Sequence, residues 1–146
     1  MAEMTARLDH VGLAVADLGA AAAWYCDVFG LEPELSLRVE AIDLSIEMLI
    51  HPAFGYRVEL LHRPETGDGA GSGRKPSHPA AAALRAGYGH VAFDVPDLDG
   101  AYDRAVARGA RPVMPPCPAP EPGVRMAFVA DPEGNLIELL HRPGKD

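Results

Sequence analysis

The hexapeptide Glu59-Leu60-Leu61-His62-Arg63-Pro64 recurs unchanged as Glu138-Leu139-Leu140-His141-Arg142-Pro143, and no other feature of the chain narrows its possible folds as much. Upstream of each copy lies a matching segment. His10-Val11 runs on to Val15-Ala16-Asp17-Leu18, and His90-Val91 runs on to Val95-Pro96-Asp97-Leu98. The His-to-Glu spacing differs by one residue between the copies. Two copies this long point to a duplicated supersecondary unit rather than a solenoid, which needs several stacked repeats.

Each copy reads the same way. Residues 10–15 alternate, with Val11, Leu13 and Val15 on one face and His10, Gly12 and Ala14 on the other, the pattern of a strand with one apolar side. Asp17 is a candidate N-cap for a helix to about Phe29, stopped by Gly30, and Asp97 for one to about Arg108, stopped by Gly109. In the second of these, Leu98, Ala101, Tyr102, Ala105 and Val106 form one apolar stripe that should cover the apolar strand face. Three strands are expected after each helix, at 35–40, 43–50 and 56–62, then at 111–114, 124–130 and 136–141. The last two of each set are joined by turn-forming segments at 51–55 and 131–135. The expected fold class is therefore α+β, with two tandem βαβββ modules (about 6–64 and 86–143) in a single domain spanning 1–146. The modules would form a curved mixed-sheet cup with the helices on its convex side. The linker, 65–85, opens with Gly, Ser and Asp and offers a short helical run at 80–86. Five prolines among 115–122 predict a second irregular segment, since proline suits neither a helix interior nor a central strand.

Composition sets outer limits. With 146 residues and 48% hydrophobic content the chain can build a core without disulfide staples. A formal charge of −8 argues against a partner that presents a phosphate backbone. No apolar run approaches the ~20 residues of a membrane span. With no signal peptide recognisable at the N-terminus, Cys26 and Cys117 are read as reduced thiols and the protein as cytoplasmic.

Parity decides where the repeated His and Glu point. His10 shares a face with Gly12 and Ala14, and His90 one with Ala92 and Asp94, opposite the helix-covered valines. Glu59 lies between Val58 and Leu60, and Glu138 between Ile137 and Leu139, so both glutamates should project to the same side as the histidines. If the first and last strands of the two modules share one curved sheet, its concave face collects two imidazoles and two carboxylates. Neighbouring carboxylates resist ionisation together unless a cation compensates them. The expectation is one divalent metal ion held by His10, Glu59, His90 and Glu138, with open positions for substrate. The donor set does not choose among zinc, nickel, cobalt, iron, manganese and magnesium. The competing reading is a duplicated fold that keeps these residues as a hydrogen-bonded cluster. His62 and His141 are read as structural or capping, and His51 and His78 as loop residues without a role in the site.

These residues resemble the vicinal oxygen chelate superfamily, which includes glyoxalase I, methylmalonyl-CoA epimerase, extradiol dioxygenases, fosfomycin-resistance transferases and bleomycin-binding proteins. The resemblance runs from Leu8 to Arg142. It is carried by Leu8-Asp9-His10-Val11-Gly12-Leu13-Ala14-Val15, by Gly89-His90-Val91-Ala92-Phe93-Asp94-Val95 and by Asp131-Pro132-Glu133-Gly134-Asn135-Leu136-Ile137-Glu138-Leu139. The order His, Glu, His, Glu is similar to glyoxalase I and the epimerase, whereas extradiol dioxygenases generally use two histidines and one glutamate. Residues 77–84 resemble the short helix that epimerases carry between modules, while the turn at 131–139 is similar to glyoxalase-like members. Arg74 and Lys75 are the only adjacent basic pair near the site, which is no convincing cluster for a coenzyme A phosphate.

What the resemblance implies is a metal-dependent isomerase or lyase acting on a small carbonyl or thioester substrate. The metal polarises a carbonyl, and a carboxylate, Glu138 or Glu59, removes the α-proton to leave an enediolate. Glu47 resembles the additional base of some epimerases. The alternatives are a non-catalytic protein that binds an antibiotic or metabolite, and a ring-cleaving dioxygenase. A homodimer is expected, because the superfamily commonly pairs module against module and open sheet edges are normally covered.

Overall fold

The computed structural model describes residues 4–67 and 75–144. Residues 68–74, which hold most of the Gly/Ser/Asp stretch and Arg74, lie outside the described residues. The chain divides into two compact units, 1–66 and 67–146.

In the first unit β1 (His10–Ala14), α1 (Leu18–Phe29), β2 (Glu32–Val39), β3 (Leu44–Ile50) and β4 (Arg57–His62) follow in order, with a single 3-10 turn at Glu40–Ile42. The strands form a mixed sheet in the order β1-β4-β3-β2, with β1 and β4 parallel and the other pairs antiparallel. The parallel pair requires a crossover, and α1 begins it. Asp17 caps α1 by accepting from the Ala20 amide at 2.9 Å, and Gly30 ends it with φ 68°, a left-handed conformation that costs glycine nothing. The helix buries Ala21, Trp24 and Tyr25. Val15, Leu31, Leu49, Val58 and Leu60 are buried aliphatic side chains of the same unit.

The second unit repeats this plan with β5 (Val91–Asp94), α3 (Leu98–Ala107), β6 (Arg111–Pro118), β7 (Arg125–Ala130) and β8 (Leu136–His141), in the sheet order β5-β8-β7-β6. Asp97 caps α3 through the Gly100 amide at 3.0 Å, and Leu98 and Ala105 of the expected stripe are buried. A short helix, α2 (Pro79–Ala82), precedes β5, with the His78 imidazole accepting from the Ala80 amide. The turn at 131–135 is built on Asp131, only 3% exposed. Its carboxylate accepts from the amides of Glu133 and Asn135 and from the Asn135 side chain.

The repeated His62 and His141 do the same job in both units. The Nδ1 of His62 lies 2.9 Å from the Val15 carbonyl oxygen, and that of His141 lies 3.0 Å from Val95. The Val15 amide donates to Leu61 and the Val95 amide to Leu140, so two hydrogen bonds tie the end of the last strand to the strand-to-helix junction.

One expectation is corrected. The segment 115–122 is not irregular throughout, because β6 continues to Pro118. Two features reconcile this with proline chemistry. The strand is at the sheet edge, and its pairing with β7 shifts register between Pro112 and Met114 and again between Met114 and Cys117. A missing N–H is tolerated at an edge or a bulge. In the same way β2, the edge strand of the first sheet, starts at Glu32 and absorbs Pro33 with a register shift between Pro33 and Leu35.

Candidate functional site

The ladders settle the parity argument within each unit. In β1 and β4, Val11 pairs with Val58 and Leu13 with Leu60, both partners almost wholly buried on the helix side. His10 pairs with Arg57 and Gly12 with Glu59, on the side that the unit's own helix does not cover. His10 Nε2 lies 3.7 Å from Glu59 Oε1. A Cβ at Gly12 would sit 3.6 Å from the same oxygen, so the bare backbone there leaves room for the carboxylate to lie across β1.

In the second unit Ala92 pairs with Glu138, and His90 directly precedes β5. Its Nε2 is 3.0 Å from Glu138 Oε2. The two glutamate side chains are 20% and 18% exposed, for Glu59 and Glu138 respectively. Each is flanked by residues that are nearly or fully buried, Val58 and Leu60 in one unit and Ile137 and Leu139 in the other. The structure thus brings His10 to Glu59 and His90 to Glu138.

The surroundings of the two pairs differ. His10 Nδ1 is 2.8 Å from Asp9 Oδ2, and Arg57 Nη1 is 3.9 Å from Asp9 Oδ1. Arg57 is itself gripped by both carboxylate oxygens of Glu34 at 2.7 and 3.0 Å. The Asp9 hydrogen bond raises the pKa of His10 above the usual imidazole value, and the same bond lowers that of Asp9. The Arg57 guanidinium holds Glu34 below the usual carboxylate range. In the second unit Gly89 stands where Asp9 does, and a buried Leu136 where Arg57 does. There the His90 ring packs edge-on against Phe128, with 5.2 Å between centroids, and Phe128 pairs with Glu138 across β7 and β8.

Asp9, Arg57, Glu34 and Phe128 were not singled out from sequence. Arg57 carried a usable signal, since it lies two residues from Glu59 on one strand and must share its face. Glu47, read as an additional base, is not brought to this group. It pairs with the fully buried Leu60, so it belongs to the face opposite Glu59, where the Ser36 hydroxyl donates to it at 2.7 Å. The length of the β3–β4 turn sets that parity.

Among the described residues no group of three or more His, Cys, Asp or Glu side chains gathers in metal-binding geometry. Each unit brings two donors, an imidazole nitrogen and a carboxylate oxygen. Both are donor types that a first-row divalent ion takes. Each glutamate faces the histidine of its own unit, at 3.7 Å for His10–Glu59 and 3.0 Å for His90–Glu138. A cation compensating the carboxylates fits that donor chemistry.

Two tandem βαβββ units, each with a His-Glu pair on the sheet face opposite its own helix, define a vicinal oxygen chelate protein. The family model of the Glyoxalase/Bleomycin resistance protein/Dioxygenase superfamily matches residues 7–139, and the chain belongs to that superfamily. A Synechocystis protein named "Probable lactoylglutathione lyase" is 28% identical over 141 residues, covering 93% of this chain and 95% of that one. An ethylmalonyl-CoA/methylmalonyl-CoA epimerase of Cereibacter sphaeroides is 33% identical over 109 residues, covering 74% of this chain and 75% of its own. Among solved structures, a glyoxylase/bleomycin resistance protein/dioxygenase domain from Frankia sp. EAN1pec has a TM-score of 0.72 at 20% identity, over 94% of this chain and 98% of that one. Glyoxalase I from Zea mays has a TM-score of 0.71 at 22% identity and covers 93% of this chain, which spans 44% of the maize chain. These structural likenesses establish the fold.

Proposed function

We propose that this protein is a metal-dependent isomerase or lyase that removes a proton next to the carbonyl of a small carbonyl or thioester substrate. The two units would act as one domain, with His10, Glu59, His90 and Glu138 as the ligands of one divalent ion. The observation that carries the reading is the duplicated His-Glu pair, placed by the same parallel first-to-last strand pairing in both units. Each pair alone offers too few donors to hold an ion firmly, whereas two pairs would make a four-donor set, which leaves positions open on an ion that takes about five or six ligands. The names of the two relatives, a lyase and an epimerase, support this type of reaction.

When bound, the ion would supply Lewis-acid polarisation of the substrate carbonyl. The chain's own residues do the rest. Glu138, whose Oε2 lies 3.0 Å from His90 Nε2, would be released from that contact once Nε2 serves as a ligand, and its carboxylate would accept the substrate proton. Phe128 and Leu136 beside Glu138 keep bulk water from its carboxylate, where water would weaken it as a directed base.

The test is elemental analysis of the purified protein beside solvent-deuterium exchange into methylmalonyl-CoA, the glutathione hemithioacetal of methylglyoxal and simple 2-oxo acids. Exchange that requires bound metal and stops on chelation is the expected result. Absence of metal-dependent exchange in all three would overturn the isomerase reading and favour a protein that binds a metabolite or antibiotic without turnover.

A cytoplasmic homodimer belongs to the same proposal. Among the described residues no helix is long and apolar enough to cross a membrane. Within their own sheets β1, β2, β5 and β6 each have one unpaired edge, a feature commonly covered by association. Light scattering should give about twice the 15.5 kDa chain mass. A mass of one chain at micromolar concentration would refute the dimer.

A further inference from the structure

The duplication sets up an internal comparison, with the same histidine beside the same glutamate in two different settings. A neutral imidazole carries one proton, and the partner of one nitrogen decides what the other can do. At His10 the carboxylate of Asp9 lies 2.8 Å from Nδ1, a position that only an N–H can satisfy. In the neutral ring that leaves Nε2 as a bare lone pair. Its 3.7 Å separation from Glu59 Oε1 is too long for a hydrogen bond, as expected of two acceptors facing each other. At His90 the arrangement is reversed. Nε2 is 3.0 Å from Glu138 Oε2, hydrogen-bonding distance, so there Nε2 carries the proton. Gly89 offers His90 Nδ1 no carboxylate, and no described residue hydrogen-bonds to it.

We propose that Asp9 is a positioning residue that fixes His10 as the Nδ1–H tautomer, so that the first unit presents a lone pair ready for a cation while His90 must first release Glu138 and shift its proton. This rests on the reading of His10 as a metal ligand. Two features support the assignment beyond the single contact. Asp9 is held from its other oxygen by Arg57, which Glu34 in turn clamps, so the carboxylate sits at the end of a chain of charged groups reaching back to β2. The neighbour of a metal-bound imidazole in proteins is very often such a carboxylate, because it fixes the ring and its tautomer. The two histidines are therefore unequal, and His10 is the first to engage an incoming ion.

The experiment has two readouts on metal-free protein and on protein titrated with Zn(II). Long-range ¹H–¹⁵N spectra of the histidine side chains report the tautomer without any metal. His10 is expected as Nδ1–H and His90 as Nε2–H, and Asp9→Gly, which copies the second unit, should turn His10 to Nε2–H. Zn(II) affinity measured against a competing chelator should fall about 10–100-fold in Asp9→Gly. The Asp9 side chain is 69% exposed, so the change leaves the fold intact, which circular dichroism checks. If the wild type fails to bind Zn(II), the metal reading falls, while the spectra still decide whether Asp9 sets the tautomer. If the wild type binds and Asp9→Gly matches it in both tautomer and affinity, the role given to Asp9 is overturned.

Discussion

If Glu138 is the base of the proposed reaction, Glu138→Gln should lower metal-dependent exchange of the substrate α-proton by about 10²–10⁴-fold, the range typical for loss of a general base. The replacement is nearly isosteric, and the strand around it is packed by Ile137 and Leu139, 0% and 1% exposed, so the fold should persist. A glutamine oxygen can still accept from His90 Nε2 at the position now 3.0 Å away. It cannot take up a proton at neutral pH. Because Glu138 is also a proposed ligand, total exchange mixes two losses, and the informative quantity is the rate per bound ion, with metal content measured on the same sample. Glu59→Gln is the matched control, since it removes the same group from the other copy. A Glu138→Gln variant that exchanges at the wild-type rate per ion would move the base elsewhere, and Glu59 would be the first alternative.

The fold was readable from sequence because its strongest signals are local. Asp17 and Asp97 announce helix starts by their own side chains, Gly30 announces a stop, and the alternation from His10 to Val15 needs only the period of a strand. The duplication then checked each reading against a second copy. What escaped depends on partners distant in the chain. Whether proline-rich 115–118 can be a strand is decided by its place at the sheet edge and by two register shifts, neither of which the prolines themselves record. Glu47 sits in a correctly expected strand, yet its face follows from the register with β4, where it meets Leu60 rather than Glu59. Asp9 was visible beside His10 but gained meaning only from the 2.8 Å contact and its absence at Gly89. Phe128 reaches His90 across the intervening strand β8, and nothing near it in sequence marks that contact.

Trp24→Ala should destabilise the protein by about 3–5 kcal/mol, the usual cost of truncating a buried aromatic, while leaving metal binding intact in the molecules that remain folded. Trp24 is 8% exposed and lies in α1, on the side of the first sheet away from His10 and Glu59. Its ring meets Tyr25 edge-on at 4.9 Å and Phe29 edge-on at 5.9 Å, and Tyr25 stacks on Phe29 at 5.9 Å. Removing the indole therefore opens a cavity and also strips two of the three contacts of that aromatic cluster, each such pair being worth about 0.5–1.5 kcal/mol beyond burial. As the chain has a single tryptophan, the change also removes the main intrinsic fluorophore, so unfolding has to be followed by circular dichroism in urea. The midpoint should drop sharply, with stoichiometric metal retained in low denaturant. An unchanged midpoint would show that α1 gains little from Trp24. A lost metal site in fully folded protein would show that the two faces of the first sheet are coupled, contrary to the separation of helix-covered core and uncovered ligands on which the proposed site depends.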